Sequence, residues 1–270
     1  MSYNPLAQPI VGINLSDAWS NALIKCYETS GGVLSPAVVC FPSIGSDNAI
    51  EFLKVREIID SWLSDPKMFI PNQSVVETIA GTIFPQSVWR LSGGDRHVLF
   101  KKYLGMLPFI RRKQSNRRGV YFQRMIAYPP VHGDREPINQ LEHIITTWKS
   151  GNHRHSALQA GIFDPRSDHS NAPIQGFPCL QQISFHANGA NGKDGLSIIA
   201  FYATQTLEEK GYGNYLGLHR LGMFMAKEMG LKFKEVICIA SALKLNNIGG
   251  KARCESLVKA IKAVLNNVKD

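Results

Sequence analysis

The stretch GFPCLQQISFHANGANGKDGLSIIAFYATQT, residues 176–206, decides how the chain is read. Two apolar runs flank a polar, glycine-rich connector, the pattern of a β-hairpin. Cys179 follows a proline at the head of the first run. Strand alternation predicts that Cys179, Gln181, Ile183 and Phe185 share a face. Cys179 is then either a nucleophile or one of the small buried cysteines common in protein interiors.

Outward from the hairpin, the pattern switches to helical spacing. Residues 213–229 are rich in Leu, Met and Phe and predict a helix that is largely buried, with Met223, Met225 and Met229 as core packing and His219 as a satisfied core histidine. EVICIASAL (235–243) predicts a strand, and 253–266 an amphipathic helix with Leu257, Ile261, Val264 and Leu265 inward. Upstream, Pro137 opens a helix closed by Gly151, with Ile138, Leu141, Ile144, Ile145 and Trp148 on one face. Earlier still, 17–26, 49–63 and 74–84 read as helices and SPAVVCF (35–41) as a strand. The segment 92–130 reads as irregular, basic surface loop.

A chain of 270 residues is long enough for one sizeable core. Its 44% hydrophobic and 19% charged content exclude a disordered chain. No apolar run approaches ~20 residues, so no membrane span is expected, and MSYNPLAQPI does not read as a secretory signal. A cytoplasmic location is the expectation. Five cysteines, widely spaced and without a CxxC pair, argue against a disulfide framework and against a zinc site. The net charge of +9 points to anionic ligands or, as a more distant option, nucleic acid. The densest basic cluster, Arg111-Arg112-Lys113 with Arg117-Arg118, has no interleaved aromatic residue.

The order Pro178-Cys179, strand, turn, strand, then GNYLGLHRLGMFMAKEMGL (213–231), resembles the thymidylate synthase and pyrimidine hydroxymethylase superfamily. GVYFQRM (119–125) and NQLEHIITTWKSGNHRHSALQAGIFDP (139–165) fall in the same order and at nearly the same spacing, so the likeness covers about half the chain, residues 119–246. The resemblance implies an α+β fold, a single domain with a mixed β-sheet packed with helices, and a homodimer joined sheet to sheet. It also implies a transferase that moves a one-carbon unit from 5,10-methylenetetrahydrofolate to C5 of a pyrimidine nucleotide. In that chemistry a thiolate adds at C6, because C5 of a uracil ring is a poor nucleophile until an enolate forms. Preplaced donors then stabilise the enolate oxygen. By the resemblance Cys179 is the nucleophile, with Tyr121 beside it. Asn214 reads the ring, donating to O4 and accepting from N3–H, which favours uracil over cytosine. Arg154 contacts phosphate across the dimer, and Thr204 and Gln181 complete the substrate contacts.

Departures from the family pattern fall on sugar, phosphate and folate. Leu180 stands where the family has histidine, Ala203 where it has a phosphate-binding arginine, and Thr206 where it has an aspartate. Ala242 and Lys244 replace the His-x-Tyr pair that holds the deoxyribose, although Leu245-Asn246 matches. The family's C-terminal tail over the folate has no counterpart. Two readings follow: an atypical one-carbon transferase, in which the basic run Arg111 to Arg118, with Arg112 and Arg118 as its test positions, could replace the missing phosphate contacts, or a catalytically inactive pyrimidine-nucleotide-binding or regulatory protein of the same fold. Glu77 is a candidate for the family's water-activating acid. His153 and His155 could share a face in an extended segment, but no third ligand is in view and no metal is expected. The remaining cysteines read as structural.

Overall fold

Strands β5 (Leu180–Ala187) and β6 (Leu196–Thr206) form the expected antiparallel hairpin, joined by a turn over Ala190–Gly192. The computed structural model describes residues 8–44, 50–65, 75–129, 136–151, 153–172, 176–246 and 250–269. Around the hairpin lie β1 (Ile10–Val11), β2 (Val33–Leu34), β3 (Ala37–Pro42), β4 (Gln159–Gly161) and β7 (Phe233–Lys244), in the sheet order β1-β3-β7-β6-β5-β4, with β2 paired to the end of β7. β6 and β7 run parallel, as do β1 and β3, while the other pairs are antiparallel. The fold is therefore α+β with a mixed sheet. One core cluster runs through it from Ile10 to Leu265.

Two adjacent parallel strands cannot be joined by a tight turn. The crossover from β6 to β7 is helix α9 (Tyr212–Met229), reached through a π-helical turn over Leu207–Gly211. Helix α9 packs on β6 and β7 on one side and on α3 (Val76–Ile83) on another, so most of it is buried. Gly213 and Gly217 face α3 one turn apart. A methyl at Gly217 would lie 2.8 Å from the Ala80 carbonyl oxygen and 2.8 Å from Ile83 Cβ. Only a hydrogen fits at that crossing. Met223, expected in the core, is instead 47% exposed, because α9 leaves one narrow stripe to solvent. Met225 and Met229 are buried as expected.

Register shows one covered and one open sheet face. Ala37, Val39, Phe41, Ile183, Phe185, Ile198, Ala200, Tyr202, Val236, Cys238 and Ala240 are buried. The alternate positions Val38, Cys40, Ile199, Phe201, Ile237 and Ile239 are half-buried or exposed. The expected alternation of Cys179, Gln181, Ile183 and Phe185 fails at its start. A bulge between Leu180 and Gln182 shifts the register, so that Leu180 joins Ile183 and Phe185 in the core while Cys179 lies just outside the strand. An extra residue in one strand reverses facing beyond it.

The sharpest correction concerns 92–130. It holds a 15-residue helix α5 (Arg96–Ile110) and a short helix α6 (Tyr121–Ile126), with irregular chain only between and after them. Asp95 caps α5 by accepting the amide N–H of His97 at 2.7 Å. The helix buries only Leu99, Phe100 and Tyr103, a face too narrow to give a strong periodic signal. Elsewhere the boundaries move slightly. Helix α1 (Leu15–Glu28) and β3 match their expected positions. Helix α2 (Leu53–Ser64) begins later than residue 49, which lies outside the described residues, as does Ser74. Helix α4 (Gln86–Leu91) follows Pro85. Helix α7 (Gln140–Lys149) opens at an Asn139 cap, not at Pro137, because the Asn139 carboxamide accepts the Glu142 N–H at 3.0 Å. A single turn, α8 (Pro165–Asp168), and the C-terminal α10 (Gly250–Lys269) complete the fold. Among the described residues no helix is long and apolar enough to cross a membrane.

Replacing Gly217 by alanine should destabilise the protein by about 1–3 kcal/mol, as overpacking of a closed contact does. Urea unfolding measures it, and an unchanged midpoint would contradict the close crossing of α3 and α9.

Candidate functional site

Cys179 is set by the loop before β5. Phe177 packs against Gly119, where a side chain would sit 2.9 Å from the ring and where φ is 135°. The Tyr121 ring lies 5.2 Å from Phe177, and the Arg124 guanidinium 5.5 Å over it. Arg124 is in turn buried in an ion pair with Asp168 at 2.9 Å. From the other side, Gln181 folds back, its Nε2 donating to the carbonyls of Pro178 at 2.8 Å and Cys179 at 3.3 Å. The Ala203 N–H donates to the Cys179 carbonyl at 3.0 Å. Gln181 thus holds the loop, and it also borders a cleft with Gln159, Gly161, Phe163, Gln182 and Phe201.

The thiol itself is half-buried against the core. Burial pushes its pKa up; Lys210 and Lys244 pull it back down. Tyr121, beside it, is also pushed up by burial and by the thiol's charge, while the backbone of Cys179 and Leu180 favours its ionised form. The structure therefore brings Cys179 and Tyr121 together, as expected. It adds three residues that the sequence reading did not single out as site groups. Tyr202 is fully buried, its hydroxyl has no hydrogen-bond partner among the described residues, and it responds electrostatically to Tyr121 and Cys179. Lys210 and Lys244 supply positive charge, although Lys244 was noted only as a loss. Register could have found Tyr202, since it pairs with Leu180 next to the cysteine.

Asn214 sits in the first turn of α9 and is 4% exposed. Its carboxamide makes no hydrogen bond to any described residue, and it is not among the fully enclosed polar atoms that lack a partner, so water or a ligand can reach it. Thr204 is half-buried on β6, paired with Ala242, and Thr206 is paired with Lys244. Arg154 is exposed, just ahead of the turn His155–Ala157, and forms no ion pair among the described residues. Of the basic run, Arg112 lies 4.8 Å over the Phe109 ring, so an aromatic contact absent from the linear reading exists. Arg118 is exposed and adjoins Gly119, at the edge of the Phe177 contact.

Other candidates take structural roles. Glu77 accepts two hydrogen bonds from Arg220 at 2.7 and 2.8 Å and one from Arg56 at 3.1 Å. These cations hold its carboxyl at about 2, so it clamps α2, α3 and α9 together. His219 places Nε2 2.7 Å from the Ser43 carbonyl oxygen, and burial lowers its pKa; it is a satisfied core histidine. His186 joins His155 and His153 as a third ring, at centroid spacings of 5.7 and 6.5 Å, but among the described residues no group could hold a metal ion. Cys26, Cys238 and Cys254 are buried and Cys40 is half-buried. Burial pushes the thiols of all four up.

The turn that carries Lys210 is fastened by two carboxylates. Glu208 accepts the Asn246 N–H at 2.7 Å, and its second oxygen has no partner among the described residues. Glu209 accepts from the Asn246 side chain at 2.7 Å and from Arg253 at 3.0 Å. Set against known proteins, the chain matches no family model, and no curated protein is significantly similar to it.

Glu208 is 1% exposed, and burial raises its carboxyl from 4.5 to about 7. Between those values the folded chain holds a proton that the unfolded chain has released, so stability falls as pH rises through about 7. Glu208→Gln should remove that dependence, gaining on the order of 2–3 kcal/mol at pH 8 and little at pH 4.5. Urea unfolding across pH measures it, and parallel profiles for the two proteins would contradict it.

Proposed function

We propose that the protein is a transferase of the thymidylate synthase and pyrimidine hydroxymethylase type, acting at C5 of a uracil-like nucleotide through a Cys179–C6 adduct. The observation that carries this reading is a half-buried thiol on a braced loop with Tyr121 beside it, and the resemblance adds Asn214, buried in the first turn of α9, as the group that would read the ring. An amide without a protein partner can donate to a carbonyl oxygen and accept from an adjacent ring N–H, which is the edge a uracil presents. Thiolate addition at C6 moves electrons onto O4 and makes C5 nucleophilic. Tyr121 flanks the sulfur. After C5 attacks the one-carbon electrophile, loss of the C5 proton and expulsion of the thiolate restore the ring.

The one-carbon donor implied by the resemblance, 5,10-methylenetetrahydrofolate, finds less support. Thr206 stands in place of the family's aspartate, and Glu77 is locked between Arg56 and Arg220. We derive no step through the folate. Burial raises the Cys179 thiol, which favours a second reading: a pyrimidine-nucleotide-binding or regulatory protein without catalysis. The open apolar face, with Phe201, Ile237 and Ile239, supports a homodimer joined sheet to sheet, and the exposed Arg154 is free to reach across it.

Incubation with 5-fluoro-dUMP, with and without methylenetetrahydrofolate, should leave an adduct on the Cys179 peptide, and Cys179→Ser should abolish it. Binding without any adduct would instead establish the non-catalytic protein. In sedimentation, Phe201→Arg should convert dimer to monomer; a wild-type monomer would refute the sheet-to-sheet pairing.

A further inference from the structure

We propose that the cleft between α5 and the helices α3 and α4 binds a single-stranded nucleic acid, with Phe109 as the platform on which a base stacks and the cations around it as phosphate contacts. The inference is independent of the reading above.

The net charge of the chain is not spread over the molecule. Residues 90–118 hold nine of its 30 Lys and Arg and one of its 21 Asp and Glu, which leaves the rest nearly neutral, at 21 against 20. Charge gathered on one helix and its flanks is the electrostatic footprint of a polyanionic partner, whereas charge that serves solubility is dispersed. The segment's one carboxylate, Asp95, is engaged in capping α5. Arg90, Arg111, Arg117 and Arg118 are exposed and form no ion pair among the described residues.

Beside this charge lies a cleft of about 650 Å³. Met106 and Phe109, one turn apart on α5, form one wall, and Thr78, Gln86 and Ser87 stand on the other. Phe109 is 63% exposed, and the Arg112 guanidinium lies 4.8 Å over its ring. An exposed ring with an arginine on it is the stacking and cation–π element of single-strand binding surfaces, which accept any base because every base has a π-face. The side chains of Thr78, Gln86 and Ser87 make no hydrogen bond to any described residue, so donors and acceptors remain for a base edge. Arg90 and Lys113 also line the cleft. Its carboxylate, Glu77, is neutralised by Arg220 and Arg56, so the cleft stays cationic. The apolar groups sit in a concavity opposite hydrogen-bonding side chains, which suits a splayed base better than a lipid surface. A duplex keeps its bases stacked inside and cannot fill the cleft.

The test is the fluorescence anisotropy of a labelled oligodeoxyadenylate of about 15 nucleotides, measured across potassium chloride concentrations; its purine bases keep it out of a uracil pocket. The unaltered protein should bind it with a log–log salt slope of about −3. Arg117→Gln with Arg118→Gln should flatten that slope by about 1.4. Phe109→Ala, at an exposed position, should weaken binding about tenfold with the slope unchanged. Equal binding of a duplex, with no effect of Phe109→Ala, would make the patch a general attractor of polyanions and overturn the cleft as the site. Sedimentation with phosphatidylserine vesicles, with no change in oligonucleotide anisotropy, would assign the patch to a membrane and overturn it too. Oligonucleotide binding as described, in a protein that forms no 5-fluoro-dUMP adduct, would uphold the cleft and discard the one-carbon reading alone.

Discussion

Helix α9 has to return the chain from the end of β6 to the start of β7 while lying between the sheet and α3, and that passage sets nearly everything else. Its faces are closed by β6, β7 and α3, so there is no room for a side chain at Gly213 or Gly217. The Glu77 carboxylate, pinned by Arg220 from α9 and Arg56 from α2, ties the outer helices to it. Because α9 is fixed, so is its first turn, and with it Asn214. The strand-to-helix turn ahead of it, Leu207–Gly211, is π-helical and carries Lys210.

At those strand ends the fold gives up stability. The buried hydroxyl of Tyr202, which pairs in register with Leu180, has no partner among the described residues and lies beside a loop whose thiol burial disfavours as an anion. Each unpartnered polar group costs on the order of 1–3 kcal/mol. A core selected for stability alone would replace them with hydrocarbon. An unpartnered hydroxyl behind a braced thiol is the physical ground for reading this region as a binding site. The Phe177 contact, the Gln181 clamp and the buried Arg124–Asp168 pair brace the cysteine loop.

Much of this was legible in the linear chain. The hairpin, β3, β7 and the burial of α9 follow from alternation and helical spacing, because those elements bury broad, regular faces. Helix α5 was not legible, since it buries only three residues and leaves Leu104, Met106 and Phe109 exposed, so its apolar residues mark no single face. The β5 bulge was equally hidden: one extra residue reverses facing without changing composition. Cys179, Tyr121 and Asn214 were singled out by the order of motifs, and Lys210 was not. It is an exposed residue in a charged turn, and only its electrostatic effect on the thiol in the folded chain singles it out. Glu77 illustrates the converse, a carboxylate whose sequence context fits chemistry and whose three hydrogen bonds fit structure.

The central claim is that the Cys179 sulfur and the Asn214 carboxamide border one space that accepts a uracil ring. The most direct measurement is the rate of Cys179 alkylation by iodoacetamide in the presence of dUMP or dCMP, for the unaltered protein and for Asn214→Asp. The account predicts protection by dUMP and little by dCMP in the former, and a shift of preference towards dCMP in the variant. Equal alkylation with and without either nucleotide would contradict it.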